Sequence, residues 1–260
     1  MQRMSMRVGA CVVIAVALAS VPARGAETRL QTNTAIESVI RDRLSHRERG
    51  DAAFHEAAEL VDLIERTAAG LTKQEDRARF AFYRLRAMKN AIDAIDDEPS
   101  AAARQWIAAH DAEIAYNEFG ARWLLNPAFV LSTHDTYRKT AAADDIAWLF
   151  VENGIAGECE GYVPCYVGWQ NLLNGEYLRR YPRGRHADAS AADVARSLTG
   201  VMDNLEASPA VLREFDPARH CRDLHENLDP LVAAIRASRS TRKSDALAAV
   251  DRFARLCRPQ

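Results

Sequence analysis

The stretch Gly157–Ala187, GECEGYVPCYVGWQNLLNGEYLRRYPRGRHA, limits the fold more than any other part of this chain. Cysteines, aromatics, glycines and prolines gather in it, while Ala/Arg/Glu-rich helical pattern flanks it on both sides. Two cysteines, Cys159 and Cys165, open the stretch around a loop bearing Gly161 and Pro164. An amphipathic run follows (Tyr166, Trp169, Leu172, Leu173, Tyr177), and a Tyr-Pro-Arg-Gly turn ends it. The pattern is that of a pinned corner feeding a helical hairpin.

The N-terminus carries the marks of a secretory signal peptide over residues 1–25. Arg3 and Arg7 supply the positive region, Val8 to Val21 an almost unbroken apolar run, and Ala23-Arg24-Gly25 the small residues of a cleavage site. The apolar run is shorter than the ~20 residues that span a bilayer. The expectation is therefore an exported chain, periplasmic or secreted, with no membrane span once the signal is removed and a single all-α domain over residues 26–260. Removal of the leader takes away three arginines and no acid, so the formal charge moves from −2 to −5. A mildly acidic chain of interspersed signs lacks the basic face that nucleic-acid binding requires. The one cationic cluster, Arg179, Arg180, Arg183, Arg185 and His186, reads as a solvated helix end.

Four cysteines remain after the leader: Cys159, Cys165, Cys221 and Cys257. An even number in an exported chain points to two disulfides, and four cysteines allow three pairings. Pairing Cys159 with Cys165 and Cys221 with Cys257 joins each to its nearest partner in sequence. Neither pair has the C-x-x-C spacing of a redox catalyst, so both are expected as structural staples.

Hydrophobic recurrence at helical spacing fills most of the rest. Thr34 and Glu37 form a capping box before Ile36, Val39, Ile40 and Leu44, which predicts a helix over 35–49. Asp51 is placed to cap a second helix (Phe54, Val61, Ile64) ending at Gly70. Thr72 and Glu75 repeat the capping box ahead of Phe80, Tyr83, Leu85, Met88 and Ile92. Ser100 caps a fourth helix expected to run through Trp106, Ile107, Ile114 and Phe119 to Gly120. The stretch 121–140 is the least readable, because Pro127 interrupts its apolar run. Asn153-Gly154 ends a helix begun at Asp144-Asp145. Val194, Leu198, Met202 and Leu205 mark another, with Gly200 as its weak point. Asp216-Pro217 and Asp229-Pro230 each read as N-cap followed by proline at N1, and Ser244 opens the last helix, through Leu247, Val250, Phe253 and Leu256. No stretch alternates long enough for a strand. The expected fold is all-α: an irregular antiparallel domain of eight to ten helices with two disulfides.

Around Tyr181-Pro182, Gly184 and Ala187, Ala189 and Ala192, the segment GEYLRRYPRGRHADASAADVARSL resembles the inter-helix turn of bacterial envelope proteins with tetratricopeptide-type repeats. The resemblance covers about one turn, without the ~34-residue period of a repeat array. It implies a scaffold or binding role and no catalytic residues.

Few residues suggest chemistry. His220, Cys221 and His225 lie close together and His55-Glu56 sits on a helix, but the place a second zinc-binding histidine would take holds Glu59. No metal and no cofactor are expected. Glu158 and Glu160 flank Cys159 in a constrained loop with Tyr162 beside them, which makes these three the candidate ligand-binding residues. Paired carboxylates of this kind would also suit an envelope-directed hydrolase, provided that they flank a scissile bond. Trp169 and Tyr177 fall on the apolar side of a helix and are expected in the core. The chain is accordingly expected to be a helical binding or scaffold module, its partner an unknown protein, peptide or glycan of the cell envelope. The alternative is the hydrolase built on Glu158 and Glu160.

Overall fold

The structure, a computed structural model, describes residues 34–208 and 215–258. The expected signal peptide lies outside the described residues. The chain divides into two compact units, residues 1–46 and 47–260. In the first, helix α1 covers 34–44 and stops short of the expected residue 49. There Ser45 Oγ donates to the Asp42 carbonyl at 2.6 Å, a local bond that competes with continuation of the helix.

Among its described residues the second unit is all-α apart from one hairpin. Helices α2 (Asp51–Ala68) and α3 (Gln74–Ala94) pair antiparallel, and the Gly50 amide donates to the Ala94 carbonyl at 2.9 Å to close their far ends. Phe54, Leu60, Val61 and Ile64 of α2 and Phe80, Leu85, Met88 and Ile92 of α3 are buried. The expected capping box of α3 does not form: Lys73 occupies the N-cap without a side-chain bond. Glu75 Oε2 instead accepts from the Ala141 amide at 3.2 Å, a tertiary contact in place of a local one. Likewise Gly50, not Asp51, is the N-cap of α2, with φ at 98°.

Helix α4 (Ala101–Ala109) has the expected cap, the Ser100 hydroxyl accepting from the Ala103 amide, but it ends eleven residues before the expected Gly120. Ile114 and Phe119 belong to an antiparallel hairpin, β1 (Ile114–Asn117) and β2 (Arg122–Leu125), where the sequence offered no strand. Strands of four residues are too short to display alternation. Their pairing is fixed from outside by Asn153, whose Oδ1 accepts from the Leu125 amide and whose Nδ2 donates to the Leu125 carbonyl, both at 2.9 Å. That side chain serves β2 as a further strand would. Pro127, which obscured this region, sits at N1 of α5 (Pro127–Tyr137), and Asn126 caps it. Helix α6 (Ala142–Asn153) follows, with Asp144 and Asp145 in its first turn and Gly154 (φ 73°) at its end, as the sequence predicts.

Helix α7 (Val163–Gln170), a π-turn at Asn171–Gly175 and α8 (Glu176–Arg180) run on from one another. The π-turn places Asn174, fully buried, against Gln170, Asp193 and Ser190, whose hydrogen bonds satisfy its amide. After the Tyr181–His186 turn come α9 (Ala187–Ala207), α10 (Pro217–Ala237) and α11 (Lys243–Arg255). Asp216 caps α10 with Pro217 at N1, as expected. Pro230, expected to start a new helix, instead lies inside α10. Proline inside a helix costs about 3 kcal/mol. The apolar stripe Leu224, Leu228, Leu231, Ala234 and Ile235 is buried on both sides of it, and a broken helix would expose half of that stripe.

The α7–α11 core gathers Val163 and Val167, Tyr177 and Leu178, Val194 to Leu205, the α10 stripe, and Val250 and Phe253, with Ala147 and Val151 of α6 joining it to the α2/α3 layer. The two expected disulfides are present, Cys159–Cys165 and Cys221–Cys257, with Cα separations of 5.5 and 5.6 Å. The second ties α10 to the end of α11. None of the helices described is long and apolar enough to cross a membrane.

Candidate functional site

The disulfide loop is held by backbone in the left-handed region at Glu160 (φ 44°) and Gly161 (φ 81°), and by amide bonds from Tyr162 to the Cys159 carbonyl and from Cys165 to the Tyr162 carbonyl. Cys159 is buried, whereas Glu158 and Glu160 both face solvent. Of the three expected ligand-binding residues only Tyr162 gains a tertiary partner. Its hydroxyl donates to Asp223 Oδ2 at 2.6 Å, and its ring meets His220 edge-on. That bond to the carboxylate raises the phenol pKa and lowers that of Asp223. The contact anchors the loop to α10. Glu158 and Glu160 line none of the three cavities described below. Gly157, at the mouth of the loop, lies against Trp169, and its amide donates to Asn117 Oδ1 of the hairpin at 3.3 Å.

Four of the five basic side chains of the turn meet a carboxylate at close quarters. Arg179 and Arg180 both bond Glu176, Arg185 pairs with Asp144 and Asp145, and His186 reaches Asp145 Oδ1 at 2.9 Å. Burial pushes the Glu176 carboxyl up, but its bonds to Arg180 and Arg179 together hold it below the usual carboxylate range. Tyr177, buried as expected, donates to Asp144 Oδ1 at 2.6 Å and accepts from the His186 amide. Burial, reinforced by the Asp144 bond, raises its pKa far above that of an ordinary phenol. Tyr181 stacks on Tyr177 and meets His134 Nε2 at 2.7 Å, while His134 Nδ1 lies 3.0 Å from Asp135 Oδ1. An Asp-His-Tyr series of this kind resembles a proton relay, but the cavity beside it has a volume of about 10 Å³. Such a space holds at most about one water molecule, so the network serves to fix α5, α6 and α8 together.

A roomy concavity with converging chemistry lies under the hairpin. It has a volume of about 370 Å³ and is bounded by the chain before α2 (Arg47, Glu48, Arg49), the end of α3 and the segment after it (Asn90, Asp93, Asp96, Asp97) and the hairpin (Tyr116, Arg122, Trp123). Tyr116 and Trp123 stand directly opposite in the strand register, so their side chains share one face. On that face Ile114 and Leu125 are buried at the hairpin's base, and further out the two rings lie with centroids 4.7 Å apart, tilted by 52°. Tyr116 is 46% exposed. Asn117, on the opposite face, is buried and fastened to Gly157. Among the described residues Asp93 is paired with Lys89, whereas Arg47, Arg49, Arg122, Glu48, Asp96 and Asp97 form no ion pair. A third cavity, of about 260 Å³, lies between α3 and α5 beside Arg84, whose guanidinium is already shared between Glu65 and Glu113.

Sequence reasoning missed the cavity because it carried α4 through the hairpin. The available signal was Tyr116 and Trp123 flanking a short Gly-containing turn between two runs of strand-forming residues. Among the described residues no group of three or more His, Cys, Asp or Glu is placed to hold a metal ion. Comparison with known proteins finds no matching family model, no similar curated protein and no similar solved structure.

Proposed function

We propose that this chain is an exported, disulfide-stapled helical binding module of the periplasm or cell envelope, and that it holds its ligand in the cavity beneath the hairpin. The observation that carries the reading is the Tyr116/Trp123 pair, exposed at Tyr116 and half-buried at Trp123, standing over about 370 Å³ of space lined by charges not spent on one another. Small-ligand sites have volumes of about 300–1,000 Å³ and combine an apolar wall with a few polar groups. Two disulfides suit an oxidising compartment, and the N-terminal leader pattern supports export. The turn at Tyr181-Pro182, with its resemblance to tetratricopeptide-type envelope proteins, supports a binding or scaffold role. For the alternative, a hydrolase built on Glu158 and Glu160, the two carboxylates would have to flank a cleft, and both are exposed around the disulfide loop.

The chain has four tryptophans, Trp106, Trp123, Trp148 and Trp169. Protein labelled with 5-fluorotryptophan gives each its own fluorine resonance, assigned by Trp-to-Phe variants. Titration with fractions of envelope extract should move the Trp123 resonance first. A fraction that moves Trp169, beside the disulfide loop, and leaves Trp123 in place would transfer the site to Glu158, Glu160 and Tyr162.

A further inference from the structure

We propose that the ligand of the hairpin cavity is an uncharged saccharide, an inference that rests on the reading of this cavity as the binding site. The cavity is lined by three arginines and four carboxylates, and Lys89 neutralises one carboxylate, Asp93. The remaining charges, Arg47, Arg49 and Arg122 against Glu48, Asp96 and Asp97, balance. All six are exposed, and with both signs present in equal number the cavity has no net charge to draw in an anion or a cation. A neutral ligand matches that balance. It must nevertheless use both kinds of group, because each guanidinium only donates hydrogen bonds and each ionised carboxylate only accepts them. Hydroxyl groups do both: each donates one hydrogen to a carboxylate and accepts from a guanidinium.

The aromatic pair selects further. With centroids 4.7 Å apart and planes inclined by 52°, the Tyr116 and Trp123 rings touch each other and leave no slot between them for a flat heteroaromatic base. They offer two inclined faces suited to the C–H side of a puckered ring, with the negative ring face toward the slightly positive hydrogens. A saccharide ring combines that apolar side with a rim of hydroxyls. The volume, at the small end of the range for ligand sites, suits a mono- or disaccharide unit.

The test uses the mature protein labelled with 5-fluorotryptophan and a panel of neutral disaccharides with gluco, galacto, manno and N-acetylglucosamine units. A digalacturonate stands for the anionic class, a glucosamine disaccharide for the cationic class, and a dialanine peptide for non-sugars. At least one neutral disaccharide should move the Trp123 resonance saturably. Its affinity should fall at least tenfold in Tyr116→Ala and in Asp97→Asn, with the resonances of Trp106, Trp148 and Trp169 unchanged to show that the variants remain folded. If no neutral member moves Trp123 while an envelope fraction, the peptide or a charged sugar does, the saccharide inference falls and the cavity stands. If a neutral disaccharide binds but moves Trp148 or Trp169 instead, the cavity reading itself falls. Silence of Trp123 toward every probe and every fraction overturns both.

Discussion

Gly184→Ala is the substitution whose cost the structure sets most directly. Gly184 lies in the turn between α8 and α9, where an added Cβ would fall well inside contact distance of the Tyr177 hydroxyl. It would also lie 2.8 Å from Tyr181 Cβ and 2.9 Å from Asp144 Oδ1. None of these neighbours is free to yield: Tyr177 is buried between Trp148 and Tyr181, and Asp144 already accepts from Tyr177 and from the Arg185 amide. In open space Gly to Ala would stabilise by about 0.4–1 kcal/mol through the unfolded chain. Here overpacking costs about 1–3 kcal/mol, and displacement of the Tyr177 to Asp144 bond, made to a charged acceptor, adds about 1.5–3 kcal/mol. The expected loss is about 3–5 kcal/mol, on the order of 10 °C in Tm for a chain of this size. Urea unfolding followed by tryptophan fluorescence, with calorimetry beside it, measures the loss. Gly200→Ala is the control: nothing lies within 4 Å of its added Cβ and it is in the interior of α9, so the variant should gain up to about 1 kcal/mol. A Gly184→Ala protein within 1 kcal/mol of the parent would refute the account of this turn as a packed junction.

Three further outcomes are expected. Replacing both cysteines of the pair 36 residues apart, Cys221 and Cys257, should cost about 3.8 kcal/mol by loop entropy, against about 2.2 kcal/mol for Cys159 and Cys165; equal losses in denaturant titration would contradict that ranking. Asn153→Ala leaves the buried amide and carbonyl of Leu125 without their partner, at about 1–3 kcal/mol for each unsatisfied group, and hydrogen exchange should show β2 opening before the helices do; protection of β2 equal to that of α6 would argue against it. Glu176 has its folded pKa held below its unfolded value, so its contribution is complete above the ordinary carboxylate pKa and is lost as pH falls through the folded value. Glu176→Gln should therefore flatten the acid limb of the stability curve, and an unchanged limb would count against the Arg179/Arg180 pairing.

Local signals settled much of this fold. Ser100 and Asp216-Pro217 mark helix starts because a side-chain acceptor and a proline at N1 act within a few residues of the backbone they cap. Asn153-Gly154 ends α6 for the same kind of reason, the backbone there needing a positive φ. The pairing of Cys159 with Cys165 and Cys221 with Cys257 was also legible, since each joins sequence neighbours. Tertiary structure decided the rest. Pro230 stays within α10 because burial of Leu224 to Ile235 outweighs its local cost, which no window of sequence around the proline reveals. The basic turn is paired with Asp144, Asp145 and Glu176, two of them some forty residues from Arg185. The hairpin exists because Asn153, twenty-eight residues beyond Leu125, supplies the hydrogen bonds that a pair of four-residue strands lacks. That distant side chain sets the hairpin that carries Tyr116 and Trp123, and the cavity follows from where the hairpin is held, a property of long-range contact that no local window of residues displays.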